Sequence, residues 1–425
     1  MAAALLAVAA TTLIGATAEA AQRVVPGEIV VGLPGGKERL LEVDPDRVGR
    51  VLRKLRRSGR YAYAVRNYIA RSAQTSLPND PGTTGALGGW TRDQWNFLGS
   101  ASGAGVTAAW AAAEAAGRAG GSGVTVAVLD TGIAYRDQGK RYRRSPDFGA
   151  KRFVPGRDFI DGDKVPLDDH GHGTHVAGTI GENTNNLRDM TGIAYAAKLM
   201  PVRVLNAQGR GTALTIAKGV RWAMKHGADV INLSLEFPAC PGKLCVSRCA
   251  QIAGVCKAIR KAVKAGVVVV AAAGNGSAKS RELAFPARID QVIAVGATTA
   301  AGEVAYYSRQ GGKLDLVAPG GGQVGVACVD GPTNDAIVQV SFRGSSRRDF
   351  CPQRRAGTSM AAAHVTGTVA LVLASRAIGK SPKPKDVERH LECTAQPLGP
   401  APFDPAYGHG LLDAAAATSG PCTGP

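Results

Sequence analysis

From about residue 90 the chain repeats one pattern, a short and mostly apolar run followed by a stretch of helical periodicity. Residues 124–129 (Val-Thr-Val-Ala-Val-Leu), 197–205, 230–235, 267–273 and 292–297 are such runs; 106–116, 214–226 and 256–265 read as helices. A strand apolar at nearly every position is covered on both faces. Strands joined through helices run parallel. The expected fold class is therefore α/β, with a mostly parallel sheet between two helical layers. Ligands in such sheets bind beyond the carboxyl ends of the strands. Asp130, Ser234 and Asn275 fall at or just past the ends of apolar runs, so they are expected to line one crevice.

A second constraint lies near the other end of the chain. Gly357-Thr358-Ser359 precedes small and apolar residues that continue through Val369, Leu371, Val372 and Leu373, a buried helix by its composition. A serine in the first turn of such a helix sits at the positive end of the dipole, beside N–H groups with no intrahelical partner. A nucleophile and an anion-stabilising site fit there together, although most serines at that position only cap the helix. Residues 169–179, Asp-His-Gly-His-Gly-Thr-His-Val-Ala-Gly-Thr, carry three histidines. They lack the pair one helical turn apart with an intervening glutamate that a metalloprotease box needs. Asp130 ends a buried strand, where an acid requires a partner; its ordinary role is a turn or a cap. Asn275, between Gly274 and Gly276, is either a turn residue or an amide donor into the crevice.

Taken in order, these segments resemble the subtilisin-like serine proteases over about residues 90–420. The runs that carry the resemblance are Val126-Ala127-Val128-Leu129-Asp130-Thr131-Gly132, His172-Gly173-Thr174-His175-Val176-Ala177-Gly178-Thr179, Val230-Ile231-Asn232-Leu233-Ser234-Leu235, residues 267–275 and Gly357-Thr358-Ser359-Met360-Ala361. Tyr407-Gly408-His409-Gly410-Leu411-Leu412-Asp413-Ala414 is similar to the family's C-terminal end. The resemblance implies a triad in which Ser359 is the nucleophile, His172 the general base and Asp130 its orienting acid. It implies an oxyanion hole from Asn275 and the N–H of Ser359, and packing or hydrogen-bonding roles for His175 and His364. His170, His226, His390 and His409 are expected to have no chemistry. Backbone at Ser234 and Leu235, and around Gly209 and Gly211, would pair with an extended peptide. Ala272, Ala273 and Gly274 would wall the first side-chain pocket, with Ala284 near its base.

The chain departs from the family at two places. Where Ser-Leu-Gly-Gly is usual it has Ser234-Leu235-Glu236-Phe237, and Glu236 would either favour basic side chains or point to solvent. Where a proline usually precedes the histidine of the nucleophile helix it has Ala363, which would shift that helix slightly. The loop Asp158-Phe159-Ile160-Asp161-Gly162-Asp163 offers hard oxygen ligands. Its spacing to His172 is similar to a calcium site in thermitase-like members, so Asp158, Asp161 and Asp163 are candidate ligands of a structural calcium. The chemistry itself is expected to need no cofactor.

Residues 2–17 are apolar and end in Ala18-Glu19-Ala20, a signal-peptide cleavage pattern lacking its basic leader. Residues 1–20 are therefore expected to be a signal peptide, and no later segment looks long and apolar enough to cross a membrane. Residues 22–75 read as strand 28–33, a helix opened by Asp44-Pro45-Asp46 with Val48, Val51, Leu52 and Leu55 on one face, and strand 61–70. Residues 76–89, rich in Pro, Gly, Asn and Thr, look like a linker. By the family resemblance, 21–80 is a small α+β propeptide that inhibits its own enzyme, with cleavage somewhere in 70–90, and 90–420 is the peptidase domain.

The eight cysteines form no zinc pattern, so disulfides in an oxidising compartment are expected. Cys328 with Cys351 and Cys393 with Cys422 are plausible clips, and the cysteines between 240 and 256 are expected to pair among themselves. The formal charge of +18 is spread along the chain without aromatic interleaving, which reads as a solvated surface rather than a nucleic-acid site. The expectation is a secreted, monomeric endopeptidase made as a zymogen, acting on polypeptides, with no nucleic-acid or membrane partner. An inactive protein-binding relative and a tripeptide-releasing exopeptidase are the alternatives.

Overall fold

The structure is a computed structural model and describes residues 24–68, 77–237, 248–276, 282–322, 325–329, 335–400 and 402–422. The expected signal segment, Cys240 and Cys245 lie outside the described residues. The chain divides into two compact units, Met1–Ser76 and Leu77–Pro425.

The first unit is an antiparallel sheet with one helix. Strands β1 (Val24–Gly32), β2 (Glu38–Glu42) and β3 (Tyr63–Tyr68) pair in the order β2-β1-β3. Helix α1 (Val48–Arg57) buries Val48 and Leu52 in one core with Ile29, Val31 and Ala64. Asp44 begins the turn before it, its carboxylate accepting the Asp46 N–H at 3.0 Å. β2 was invisible in the sequence because Glu38, Arg39 and Glu42 leave no apolar run; it is an exposed edge strand.

The second unit is built on a seven-stranded parallel sheet. Its strands are β4 (Thr125–Asp130), β5 (Arg157–Asp158), β6 (Lys198–Arg203), β7 (Val230–Leu233), β8 (Val268–Ala272), β9 (Ile293–Thr298) and β10 (Leu316–Pro319). Their order is β10-β9-β8-β7-β4-β6-β5, and every neighbouring pair is parallel. Val126 and Val128 of β4 enter one hydrophobic core, Ala127 and Leu129 the other. That alternation makes three layers, because side chains along a strand point to opposite faces. Helix α2 (Val106–Ala115), α3 (His172–Gly181) and α6 (Thr358–Ser375) cover one face; α4 (Ala213–Lys225) and α5 (Ala253–Lys264) cover the other. All five expected strands form. The edge strand β5, of two residues, is too short to show a pattern, and the edge strand β10 was not among the expected runs.

A second sheet in this unit is antiparallel, with order β11-β13-β12, from β11 (Ala327–Cys328), β12 (Ile337–Phe342) and β13 (Phe350–Arg355). Helices α7 (Pro384–Thr394) and α8 (Ala414–Ser419) close the chain. Among the described residues the disulfides are Cys249–Cys256, Cys328–Cys351 and Cys393–Cys422.

Two expectations are corrected here. Residues 77–89 are not a free linker. Asp80 is fully buried and accepts the N–H groups of Asn185 at 2.7 Å and Asn186 at 2.9 Å. The Trp90 indole N–H donates to the Pro78 carbonyl at 3.0 Å. Turn-forming residues are used here to satisfy another loop rather than to span a gap. Helix α6, with 18 residues, is in fact long and apolar enough to cross a membrane. It is instead the central core helix, because Ala361, Ala362, Ala363 and Ala370 let it pack closely and are all fully buried.

The carboxylates of Asp315, Glu388 and Glu392 meet within 4.8 Å of one another beside α7. Burial, then the charge of Glu392, pushes Glu388 up to about 7 from an ordinary 4.5. The folded-state value lies above the unfolded one, so the neutral form that favours folding is full below about 4.5 and is lost as pH rises through about 7. Glu388→Gln is therefore expected to stabilise the protein at pH 8.5 by roughly 1 kcal/mol, after allowing for solvent screening of this half-exposed group, and to change little at pH 4. Thermal unfolding at the two pH values checks it; equal shifts at both would contradict it.

Candidate active site

β4 delivers Asp130 to the carboxyl edge of the sheet, where its side chain is fully buried. Its Oδ1 accepts the Thr131 N–H at 2.7 Å and lies 2.8 Å from Nδ1 of His172. A carboxylate only accepts, so the proton of that bond sits on Nδ1, and Nε2 of the neutral ring keeps a free lone pair. His172 is the first residue of α3, and its side chain is 20% exposed. Gly173 permits this docking, since a Cβ there would lie 2.2 Å from the Gly132 carbonyl oxygen.

Asp168 locks the same junction. Its Oδ1 accepts the Thr131 hydroxyl at 2.8 Å and the N–H groups of His170 and Gly171; its Oδ2 accepts the N–H and hydroxyl of Thr174. The Thr131 hydroxyl in turn accepts the Gly173 N–H at 2.9 Å. The strand end bearing Asp130 and the helix start bearing His172 are thus one hydrogen-bonded body. Sequence reasoning passed over Asp168 and Thr131. The available signal was an acid just ahead of a glycine-rich helix start, where the unpaired N–H groups need an acceptor.

Ser359 is the second residue of α6. The turn before it needs glycine: Gly357 has φ 154°, and a Cβ there would crowd Asn275 Nδ2 at 3.2 Å. The Ser359 hydroxyl donates to the Ser234 carbonyl at 3.3 Å, and the Ser359 carbonyl accepts the Ser234 hydroxyl at 2.8 Å. The Ser234 hydroxyl also accepts from Asn232 Nδ2, and Asn232 Oδ1 accepts the Thr366 hydroxyl, each at 2.9 Å. The end of β7 is therefore pinned to α6. α6 runs unbroken through Ala363, which is fully buried.

The orientation of the Asn275 amide follows from its partners. Oδ1 accepts the Thr358 N–H and the Thr358 hydroxyl, both at 2.9 Å. A backbone N–H can only donate, so the oxygen faces Thr358 and Nδ2 remains a donor.

His172, Ser359 and Asn275 line one cleft of about 550 Å³, together with Gly209, Gly211, Ser234, Leu235, Glu236, Ala272 and Gly274. Ala273 does not line it. It lies one layer behind, fully buried, its N–H on the Val295 carbonyl and its carbonyl accepting from Ala284. Ala284 is buried against Gly274. His170, expected to be idle, also lines the cleft; burial and then the nearby His172 lower its pKa.

The other histidines are structural. His364 is fully buried between the Met360 carbonyl (2.8 Å from Nδ1) and Asn96 Nδ2 (2.7 Å from Nε2), and burial lowers its pKa to about 4. His175 Nε2 faces the carbonyls of Gln353 and Ile337, and burial lowers its pKa well below the usual value.

The candidate calcium loop does not fit the ion. Arg203 Nη1 donates to Asp158 Oδ2 at 2.8 Å and to Asp161 Oδ2 at 2.6 Å, while its Nη2 reaches Asp169 Oδ2 at 3.1 Å. Asp158 Oδ1 is taken by the N–H groups of Ile160 and Asp161, and Asp163 Oδ1 by that of Val165. A buried guanidinium supplies the positive charge at this loop, at the place a divalent cation would need. Arg203 stands far from the loop in sequence, which is why spacing alone suggested a metal.

Comparison with known proteins identifies the family. Residues 121–410 match the model of the subtilase family. The chain is 38% identical over 300 residues to subtilisin BL from Lederbergia lenta, covering 70% of this chain and 91% of that protein. It is also 38% identical to an alkaline protease of Shouchella clausii, over 70% of this chain and 65% of that one. Among solved structures, a protease from Pseudoalteromonas arctica superposes with a TM-score of 0.64 at 32% identity, covering 81% of this chain and 99% of that one. The family match and these likenesses show that the chain belongs to the subtilase family of serine endopeptidases.

Proposed function

We propose that this chain is a secreted endopeptidase, made as a zymogen, that cuts polypeptides through Asp130, His172 and Ser359. The observation that carries the reading is the 2.8 Å contact of buried Asp130 with His172, in a cleft that Ser359 and Asn275 share. An extended substrate lies along Gly209–Gly211 on one side and Ser234–Leu235 on the other. The Ser359 hydroxyl turns from the Ser234 carbonyl to His172 Nε2 and attacks the scissile carbonyl carbon. As the C–O bond forms, Nε2 takes the proton. Asp130 holds the ring tautomer and stabilises the imidazolium. Asn275 Nδ2 and the Ser359 N–H hold the oxyanion. The C–N bond then breaks, and the leaving amine takes the proton from Nε2. Water repeats the sequence on the acyl-enzyme and restores the serine. No step needs a cofactor.

The N-terminal unit is read as the propeptide, an inhibitor and folding aid removed by a cut between 70 and 90, and residues 1–20 as the leader. The Ala-x-Ala pattern and the three disulfides among the described residues support an oxidising, extracellular destination. The processed enzyme acts as a monomer, without nucleic-acid or membrane partners. Mapping the peptides released from a denatured protein mixture tests the reading. Cuts at internal bonds, absent with Ser359→Ala, are expected; release of N-terminal tripeptides alone would contradict it.

A further inference from the structure

Glu236 is the one acidic residue among the described residues that line the cleft, beside Phe237, Ala272 and Gly274. Its Oε2 lies 2.5 Å from where a Cβ on Gly274 would stand, so the carboxylate covers Gly274, beside Ala284. Among the described residues its one ion-pair partner is Arg309, with Nε 3.8 Å from Oε2, longer than a hydrogen bond. Arg309 is turned away from the cleft. Its side chain is 11% exposed against 32% for Glu236, Nη1 reaches toward the Glu282 carbonyl at 3.5 Å, and the guanidinium lies over Gly276. Glu236 lines the cleft and Arg309 does not. The cleft therefore meets a carboxylate backed by a cation that does not fully pair with it. Burial raises the Glu236 pKa, and Arg309 and the Asn275 N–H offset this only in part.

We propose that Glu236 makes this enzyme select a basic side chain, lysine or arginine, immediately before the cleaved bond. The inference rests on the reading that Ser359 cuts peptides in this cleft, which places the preceding side chain against Ala272 and Gly274. Such a side chain brings its cation to an under-compensated carboxylate, where a charge-assisted hydrogen bond is strong. Arg309 packs behind Gly274, and its charge is the cost that the substrate cation must outweigh.

The test compares two peptide p-nitroanilides that differ only in the residue before the scissile bond, lysine or its uncharged analogue norleucine. With the mature enzyme, kcat/KM for lysine is expected to exceed that for norleucine by roughly tenfold or more. In Glu236→Gln the ratio of the two is expected to fall by roughly tenfold to a hundredfold. Because the ratio is taken within one preparation, partial loss of folding does not affect it. A wild-type ratio near one, a ratio unchanged in Glu236→Gln, or a preference for a glutamate substrate would overturn the proposal while leaving Ser359 chemistry in place. Cleavage of neither peptide, or cleavage surviving Ser359→Ala, would instead overturn the reading on which it rests.

Discussion

Ser359→Ala is expected to lower kcat by roughly 10⁶-fold, the size known for loss of the nucleophile in subtilisin itself. His172→Ala should cost about as much, and the double variant should be no worse than either. The reason lies in the proposed mechanism. His172 Nε2 has a use only if a hydroxyl is there to be deprotonated, and Ser359 is a weak nucleophile without a base. The two losses therefore describe one broken unit. The fold should survive both changes. Ser359 gives its hydroxyl hydrogen bond to a carbonyl at 3.3 Å, and replacing it costs about 1 kcal/mol. Steady-state rates with the three variants, alongside circular dichroism, check this. Losses that multiply in the double variant would show that the residues act separately.

Asn275→Leu is expected to lower kcat by roughly 10²–10³-fold with little change in KM, again the size found for the equivalent loss in subtilisin. In the proposed mechanism Asn275 Nδ2 gains its partner only when negative charge develops on the substrate oxygen, so its removal acts on the transition state. The expected split follows from the structure. Oδ1 is held by the N–H and hydroxyl of Thr358, and leucine keeps the shape but leaves both donors unpaired. A modest loss of thermal stability, about 1–2 kcal/mol, should therefore accompany the kinetic one. Asn275→Asp separates the two. It can still accept from Thr358 but, when ionised, cannot donate to an oxyanion and repels it, so it should be at least as slow and less destabilised. A rise in KM with kcat intact, in either variant, would contradict the assignment.

What could be read from the sequence was set by range. The five apolar runs announced the parallel sheet because burial on both faces leaves a continuous apolar signal. They also placed Asp130, Ser234 and Asn275 at one edge, as β4, β7 and β8 do. Strands β2 and β5 were missed because an exposed edge or a strand of two residues carries too little pattern, and β10, though buried throughout, was not read. The hairpin of β12 and β13 was missed although β12 is buried throughout. Long-range pairing was harder. Asp158, Asp161 and Asp163 looked like a metal loop because their charges are local, whereas the cation that answers two of them, Arg203, arrives from β6. Glu236 was ambiguous for the same reason: only the folded chain brings Gly274 and Arg309 against it. Asp168 and Thr131, which hold Asp130 and His172 in register, act through backbone N–H groups that no spacing rule displays.

The most direct measurement is covalent. A fluorophosphonate, which phosphonylates an activated serine hydroxyl with loss of fluoride, is mixed with the mature protein and the adduct located by peptide mass spectrometry. The assignment of Ser359 and His172 predicts one adduct, on Ser359, abolished in Ser359→Ala and slowed by orders of magnitude in His172→Ala. A mature, folded protein that fails to label at Ser359, or that labels as fast without His172, would contradict it.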